Sequence, residues 1–218
     1  SVANGLIQVT TELPKIRFWN AGKYVDVLDI MPSKASLRVI GGTAKGRRIR
    51  GTLSPKARPT TERVRSAIFN ILDPYEFIDQ KVLDLFAGSG SLGIEALSQG
   101  AAWVDFVEID SNQCQVIQSN LEDTGFKDKA YVRCGDVKRV LPHLNGPYSL
   151  VMLDPPYRLE TTANVIQSIS DSEGLVEVGG TVIVGHSRHS ELAETYGSLS
   201  LESHRRNGDN LVEFYSKR

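Results

Sequence analysis

The sequence predicts an α/β fold: a mostly parallel sheet covered by helices on both faces, preceded by a basic β-hairpin and one helix. Three observations carry this expectation. Short, nearly continuous apolar runs recur downstream of Lys81, stretches of helical length and amphipathic spacing separate them, and a glycine-rich turn follows the first run. Apolar strands that alternate with helices are the pattern of parallel sheets buried on both faces, and right-handed crossovers make such sheets doubly wound. In that architecture ligands bind at the carboxyl ends of the strands.

In chain order, Ser1–Ser36 holds Pro14, Pro32 and the scattered aromatics Phe18, Trp19 and Tyr24 without a sustained period, which fits a short strand pair or a flexible arm and assigns no function. It lacks the basic and apolar regions of a secretory signal and is too poor in arginine for a transit peptide. A cytoplasmic location is expected, or an organellar one if Ser1 marks a processed terminus. Leu37–Arg50 (LRVIGGTAKGRRIR) places two β-prone runs around a glycine-containing turn, which predicts a basic hairpin. Arg58–Leu72 predicts a helix entered through Pro59-Thr60-Thr61, with Val64, Ala67, Ile68, Ile71 and Leu72 forming one apolar stripe. The strands expected beyond it are Val82–Phe86, Trp103–Ile109, Ala130–Cys134, Ser149–Leu153 and Thr181–Val184, then Leu199–Ser203 and Leu211–Tyr215 with little helix between these two. The chain thus divides into an N-terminal extension (1–36), a basic hairpin and helix (37–72) and an α/β domain (73–218).

At 218 residues, with 40% hydrophobic and 23% charged residues and a mean hydropathy of −0.20, the chain has the composition of an ordinary globular protein, which excludes disordered, collagen-like and coiled-coil classes. No apolar run approaches the ~20 residues of a membrane span. Cys114 and Cys134 form no CxxC or Cys/His pattern, so neither a disulfide framework nor a structural zinc site is expected. The histidines at 143, 186, 189 and 204 offer no persuasive ligand spacing either, and no metal is expected. The net charge of −1 conceals an uneven distribution. Arg38–Arg65 carries nine basic residues (Arg38, Lys45, Arg47, Arg48, Arg50, Lys56, Arg58, Arg63 and Arg65) against the single acid Glu62, which leaves −9 for the rest. A cationic segment on an acidic body suits a polyanion held at one face, because Lys and Arg release the counterions condensed on phosphates.

The first strand runs into Asp84-Leu85-Phe86-Ala87-Gly88-Ser89-Gly90-Ser91-Leu92-Gly93, where Gly88, Gly90 and Gly93 satisfy GxGxxG. Such a turn brings backbone amides close to a ligand at a helix N-terminus, and its spacing alone fits a nicotinamide dinucleotide or S-adenosylmethionine. Asp84 separates them. A carboxylate just before the glycines repels a pyrophosphate but attracts the ammonium and sulfonium of adenosylmethionine. Glu108, closing the second strand, is placed to accept hydrogen bonds from ribose hydroxyls, whereas Asp110 fits a cap for the next helix. Asp136, after the third strand, fits either an acceptor for the adenine amine or a helix cap. The fourth strand ends in Leu153-Asp154-Pro155-Pro156-Tyr157. Two prolines stiffen the backbone and leave carbonyl acceptors, Asp154 adds another acceptor and Tyr157 an aromatic face, together a receptor for a planar amine.

The segments LRVIGGTAKGRRI, RPTTERVRSAIFNIL, VLDLFAGSGSLGIEALSQGA, VEID, GD and DPPY, in this order and spacing, make the chain resemble the bacterial 16S ribosomal RNA guanine-N2 methyltransferases of the small subunit. The resemblance runs from about Leu37 to the C-terminus, with RPTTERVR and DPPY its most specific pieces. It implies a Rossmann-like class I methyltransferase fold, a seven-stranded sheet of order 3-2-1-4-5-7-6 whose seventh strand is antiparallel. It implies adenosylmethionine binding by Asp84, Phe86, Gly88, Gly90, Glu108, Asp136 and Val137, and receipt of the target amine by Asp154, Pro155, Pro156 and Tyr157. The helix from Arg58 would close over the methionine end of the cofactor. Arg38, Lys45, Arg47, Arg48, Arg50, Arg58, Arg63 and Arg65 would contact ribosomal RNA, presented as small-subunit ribonucleoprotein to a monomeric enzyme. Two departures stand out: Ser1–Ser36 has no counterpart, and the fifth strand ends in Val184-Gly185-His186 where an acid is expected.

The amine receptor by itself accepts adenine N6 or cytosine N4 of RNA or DNA, or even a glutamine side-chain amide, as readily as guanine N2; the cationic Arg38–Arg65 segment favours nucleic acid over protein, and only the resemblance selects guanine. A dinucleotide-dependent oxidoreductase and a catalytically silent RNA-binding protein are the more distant alternatives.

Overall fold

The computed structural model describes residues 17–20, 23–26, 36–51, 62–155 and 159–218, so Lys56, Arg58, Pro156 and Tyr157 lie outside the described residues. Two units divide the chain, Ser1–Lys34 and Ala35–Arg218. In the first, β1 (Arg17–Asn20) and β2 (Lys23–Asp26) pair antiparallel in the register Phe18↔Val25.

The second unit begins with the basic hairpin, β3 (Ser36–Arg38) and β4 (Arg48–Arg50), in the register Leu37↔Ile49. Next come α1 (Glu62–Ile71), β5 (Lys81–Leu85), α2 (Ser91–Ser98), β6 (Trp103–Glu108), α3 (Ser111–Thr124), β7 (Ala130–Cys134) and the short α4 (Val137–Val140). The chain finishes with β8 (Tyr148–Leu153), α5 (Leu159–Asp171), β9 (Val176–Ser187), β10 (Thr195–Tyr196), β11 (Leu199–Asn207) and β12 (Asn210–Lys217).

One sheet joins β7-β6-β5-β8-β9-β12-β11-β10. Strands β5 to β9 are parallel to their neighbours in that set, and β12 is antiparallel to both β9 and β11. Seven strands therefore stand in the expected order, and β10 is an eighth at the edge. The chain steps outward from β5 through β6 to β7 and then returns to the other side of β5 with β8, which makes the β5/β8 boundary the topological switch point where such sheets hold ligands. Strand β9 starts at Val176, before the expected Thr181, and its pairing with β8 shifts register between Tyr148 and Leu150, opposite the stretch that carries Gly179-Gly180.

Side chains that alternate along β5, β6 and β8 feed two separate cores. On one face, Val82, Phe106 and Met152 pack with Ile94 of α2, Ile117 of α3, Ile68 of α1 and Leu37 and Ile49 of the hairpin. On the other, Leu83, Val107 and Val151 pack with Val137 of α4 and Val165 and Ile169 of α5. Burial of both faces explains the continuous apolar runs.

The hairpin is tied to α2 by buried polar bonds. Glu95 accepts from the N–H groups of Ile40 (2.9 Å) and Gly41 (2.7 Å), and the Ser98 carbonyl accepts from Thr43 N–H (2.7 Å). Helix α1 turns Val64, Arg65, Ile68 and Phe69 inward. Ile71, expected on the apolar stripe, is more than a third exposed, and Arg65 takes an interior place. Among the described residues no helix is long and apolar enough to cross a membrane.

Candidate active site

The carboxyl ends of β5, β6 and β8 meet around the glycine turn. Phe86 leaves β5 with φ +58°, a left-handed conformation that is costly for an aromatic residue and is tolerated mainly at functional turns. Gly88 follows with φ +55°, and a Cβ there would meet nothing within 4 Å, so the turn presents bare backbone to open space. Gly90 caps α2. Gly93 serves packing: a Cβ would lie 2.3 Å from Cε1 of Phe106, so its absence lets α2 settle onto β6.

Each carboxylate of this half is held by backbone amides. Asp84 Oδ2 accepts from Gly93 N–H at 2.9 Å. Glu108 Oε2 accepts from Gly88 N–H at 2.7 Å and its Oε1 from Asp110 N–H at 2.9 Å. Asp110 caps α3, and Asp136 caps α4 through Lys138 N–H at 2.9 Å, the structural alternatives foreseen for both. Val137 points into the core, so its side chain is committed to packing. Asp84 is buried, and burial drives its carboxyl well above the usual carboxylate range. The negative charges of Asp154 and Glu108 push it the same way against the Gly93 hydrogen bond. Three carboxylates thus lie close enough to act on one another, an arrangement that a cation would relieve.

Asp154, half-buried beyond β8, faces β9 across a gap kept by Gly185. A Cβ at position 185 would come within 3.0 Å of Asp154 Oδ1. The glycine that replaces the expected acid therefore makes room for the carboxylate beside it. Pro155 is buried. His186, next along β9, turns to the buried Glu213, with Nε2 at 3.5 Å from Oε2. Burial pushes the Glu213 carboxyl up, but hydrogen bonds from His186 and Tyr215 outweigh it and hold the group below its ordinary value.

Ile109 was missed by sequence reasoning. It is 65% exposed immediately after Glu108 and lines a groove of about 770 Å³ with Gly135 and Asp136. An apolar residue at a ligand-bearing strand end was the available signal. The two cysteines, distant in sequence, meet here as free thiols, and burial followed by the hydrogen bond to Cys134 pushes the Cys114 thiol up to about 12. Among the described residues no group of His, Cys, Asp and Glu is arranged to hold a metal ion.

The basic residues divide. Arg38, Lys45, Arg47, Arg48, Arg50 and Arg63 are exposed. Arg47 Nη1 donates to the Asp123 carbonyl at 3.0 Å, and Arg50 lies 3.4 Å from the Asp123 carboxylate. Arg65 corrects the expectation of an RNA contact: it is 0% exposed and its Nη2 donates to the Arg38 carbonyl at 2.6 Å. Burial lowers its pKa, opposed by the charges of Glu95 and Glu62. It fastens the hairpin to α1 and α2 from inside.

The model of a protein family described as "Conserved hypothetical protein 95" matches residues 37–216. The chain belongs to this family. Among its relatives, the "Putative rRNA methyltransferase YlbH" of Bacillus subtilis (strain 168) is 37% identical over 185 residues, 84% of this chain and 100% of that protein. "Ribosomal RNA small subunit methyltransferase D" of Escherichia coli (strain K12) is 40% identical over 134 residues, 60% of this chain and 67% of that one. The solved structure of the "Putative methyltransferase yhhF" from Escherichia coli superposes with a TM-score of 0.74 at 31% identity, covering 84% of this chain and 99% of that chain. The sheet described above is thus a class I methyltransferase fold. In this member of the conserved hypothetical protein 95 family, the β1–β2 unit lies outside the matched span.

Proposed function

We propose that the protein methylates the exocyclic N2 amine of a guanine in small-subunit ribosomal RNA, with S-adenosylmethionine as donor. The observation that carries this reading is the gathering of Asp84, Glu108 and Asp154 about an open glycine turn, where burial first, and the negative charges of Asp154 and Glu108 after it, raise the Asp84 carboxyl above its ordinary range. A cationic ligand with a sugar and a planar ring suits that site. Glu108 keeps lone pairs for ribose hydroxyls beyond its two backbone bonds, Ile109 offers an apolar face for adenine, and the Gly88 backbone can approach closely.

When bound, adenosylmethionine supplies an electrophilic methyl carbon and a neutral thioether leaving group. The chain supplies orientation. Asp154 accepts one N–H of the target amine and the Pro155 carbonyl accepts the other, which turns the nitrogen lone pair toward the methyl position, and Tyr157 stacks on the base. The proton lost from nitrogen passes to Asp154 or to water. The exposed cations Arg38, Lys45, Arg47, Arg48, Arg50 and Arg63, with Arg58, hold the RNA, which is presented as part of the small-subunit particle to a monomer.

Small-subunit RNA and particles treated with the protein and labelled adenosylmethionine, then digested and analysed by mass spectrometry, should yield N2-methylguanosine. N6-methyladenosine or N4-methylcytidine would replace the base assignment, and no labelled nucleoside would defeat the reading.

A further inference from the structure

A groove of about 350 Å³ runs between α1 and the β11–β12 hairpin. Its floor is Ile68, Val212 and Phe214, and its rim carries Arg63, Arg205 and Arg206. All three arginines are exposed, and two of them come from a part of the chain far from the cationic segment Arg38–Arg65. We propose that this groove binds the single strand of RNA adjoining the base to be methylated, with a flanking base on the apolar floor and its phosphates on the arginines. The proposal rests on the reading of the protein as an RNA methyltransferase.

Position relative to Asp154 is the first argument. Val212 lies directly opposite Gly185 in the β9–β12 ladder, and residues opposite one another project from the same face of a sheet. The Cβ direction at 185 ends 3.0 Å from Asp154 Oδ1. The acceptor carboxylate and the groove floor therefore share one face, separated by two strand spacings, about 10 Å. A base seated at Asp154 arrives attached to its strand, and the groove lies on the same face within the reach of the neighbouring nucleotides.

Chemistry is the second argument. An apolar floor under guanidinium groups suits single-stranded RNA, whose unstacked bases settle on apolar surfaces while arginines neutralise phosphates. Arg205 Nη1 donates to the His204 carbonyl at 2.8 Å and Arg206 Nε to the Gly208 carbonyl at 3.3 Å. Each bond fixes a guanidinium on its own hairpin and leaves most of its five N–H donors available. Two carboxylates of the same hairpin are engaged elsewhere: Asp209 pairs with Arg188 at 3.1 Å, and Glu213 is buried against His186.

The test measures RNA binding apart from turnover. In the full chain, Arg205→Glu/Arg206→Glu should raise the dissociation constant for a small-subunit RNA fragment about tenfold or more and flatten the slope of log affinity against log salt by about 1.4, the share of two phosphate contacts on a single strand. Adenosylhomocysteine affinity and melting temperature should stay at wild-type values, and Arg205→Lys/Arg206→Lys should bind RNA nearly as well as wild type. Unchanged RNA affinity in the Glu variant overturns the groove assignment even where methylation proceeds. Loss of binding that the Lys variant shares equally also overturns it, because charge is then not the cause. Binding of an acidic peptide in place of RNA, lost in the Glu variant, assigns the groove to a protein partner and overturns the proposal. A wild-type chain that methylates no RNA yet binds the fragment through Arg205 and Arg206 defeats the function proposed above and leaves the groove standing.

Discussion

The two halves of the sheet's carboxyl edge are built differently. On the β5–β6–β7 side, Asp84, Glu108 and Asp136 each accept at least one backbone N–H, and the turn between them is wedged by a glycine against Phe106. On the β8–β9–β12 side, Asp154 stands across a space left by Gly185, and a groove rimmed with arginines lies two strands away. The first half fixes acceptor positions before any ligand arrives, as a site for one small molecule of constant shape requires. The second keeps room, as the proposed site for one nucleotide of a long polymer would require. Preorganisation costs stability where it buries a carboxyl and gathers like charges about it, and Asp84, raised by burial first and by Asp154 and Glu108 after it, shows that cost.

Changes on the second half should reach turnover without reaching the cofactor. The largest effect is expected for Asp154→Asn, which replaces an acceptor by a group that also donates. Single-turnover methyl transfer should fall about 100-fold or more, the scale of a misplaced reacting group, while calorimetry with adenosylhomocysteine shows little change. Equal losses in both measurements would erase the distinction between the halves. Next, Gly185→Ala puts a methyl group 3.0 Å from Asp154 Oδ1 and should slow transfer about tenfold by turning the carboxylate, again with the cofactor site untouched.

The smallest effect sharpens the other side of the comparison. The Asp84 carboxyl is raised in the folded protein, so its neutral form favours the fold below the ordinary value of 3.8, and that advantage is lost as pH climbs above it. Asp84→Asn keeps an acceptor for Gly93 N–H and cannot ionise. Its melting temperature without ligand should therefore overtake that of the wild type as pH rises above the ordinary carboxylate value. Its affinity for the cationic adenosylmethionine should fall a few-fold more than its affinity for the uncharged-sulfur product. Parallel melting curves across pH would refute the account of a buried carboxyl crowded by like charge.

Much of the edge was legible because it is local. Asp84, the glycine turn and Glu108 sit within strand-turn-helix patterns that a linear reading captures, and Asp110 and Asp136 stand where helix caps belong. Arg65 was misread because charge was counted along the chain and not around the helix. Positions 64, 65, 68, 69 and 72 share a buried face, and a reading that puts arginine outside rotates the stripe toward Ala67 and Ile71. Its burial depends on Glu95 and the Arg38 carbonyl, contacts made only on folding. Gly185 and the Arg205–Arg206 rim were illegible for the same reason: each acquires meaning from a strand or helix distant in sequence, Asp154 in one case and α1 in the other.

Helix α2 is also a spacer of fixed length. Its first turn is fastened to Asp84 through Gly93, and its last turn holds residues 40–44 of the hairpin through Glu95 and Ser98. From Gly93 to Ser98 the helix rises 1.5 Å per residue, about 7.5 Å in all, so the separation between the glycine turn and the hairpin is set like the jaws of a caliper. Inserting or deleting a residue between Gly93 and Glu95 would turn one grip by about 100° relative to the other and break the register between them.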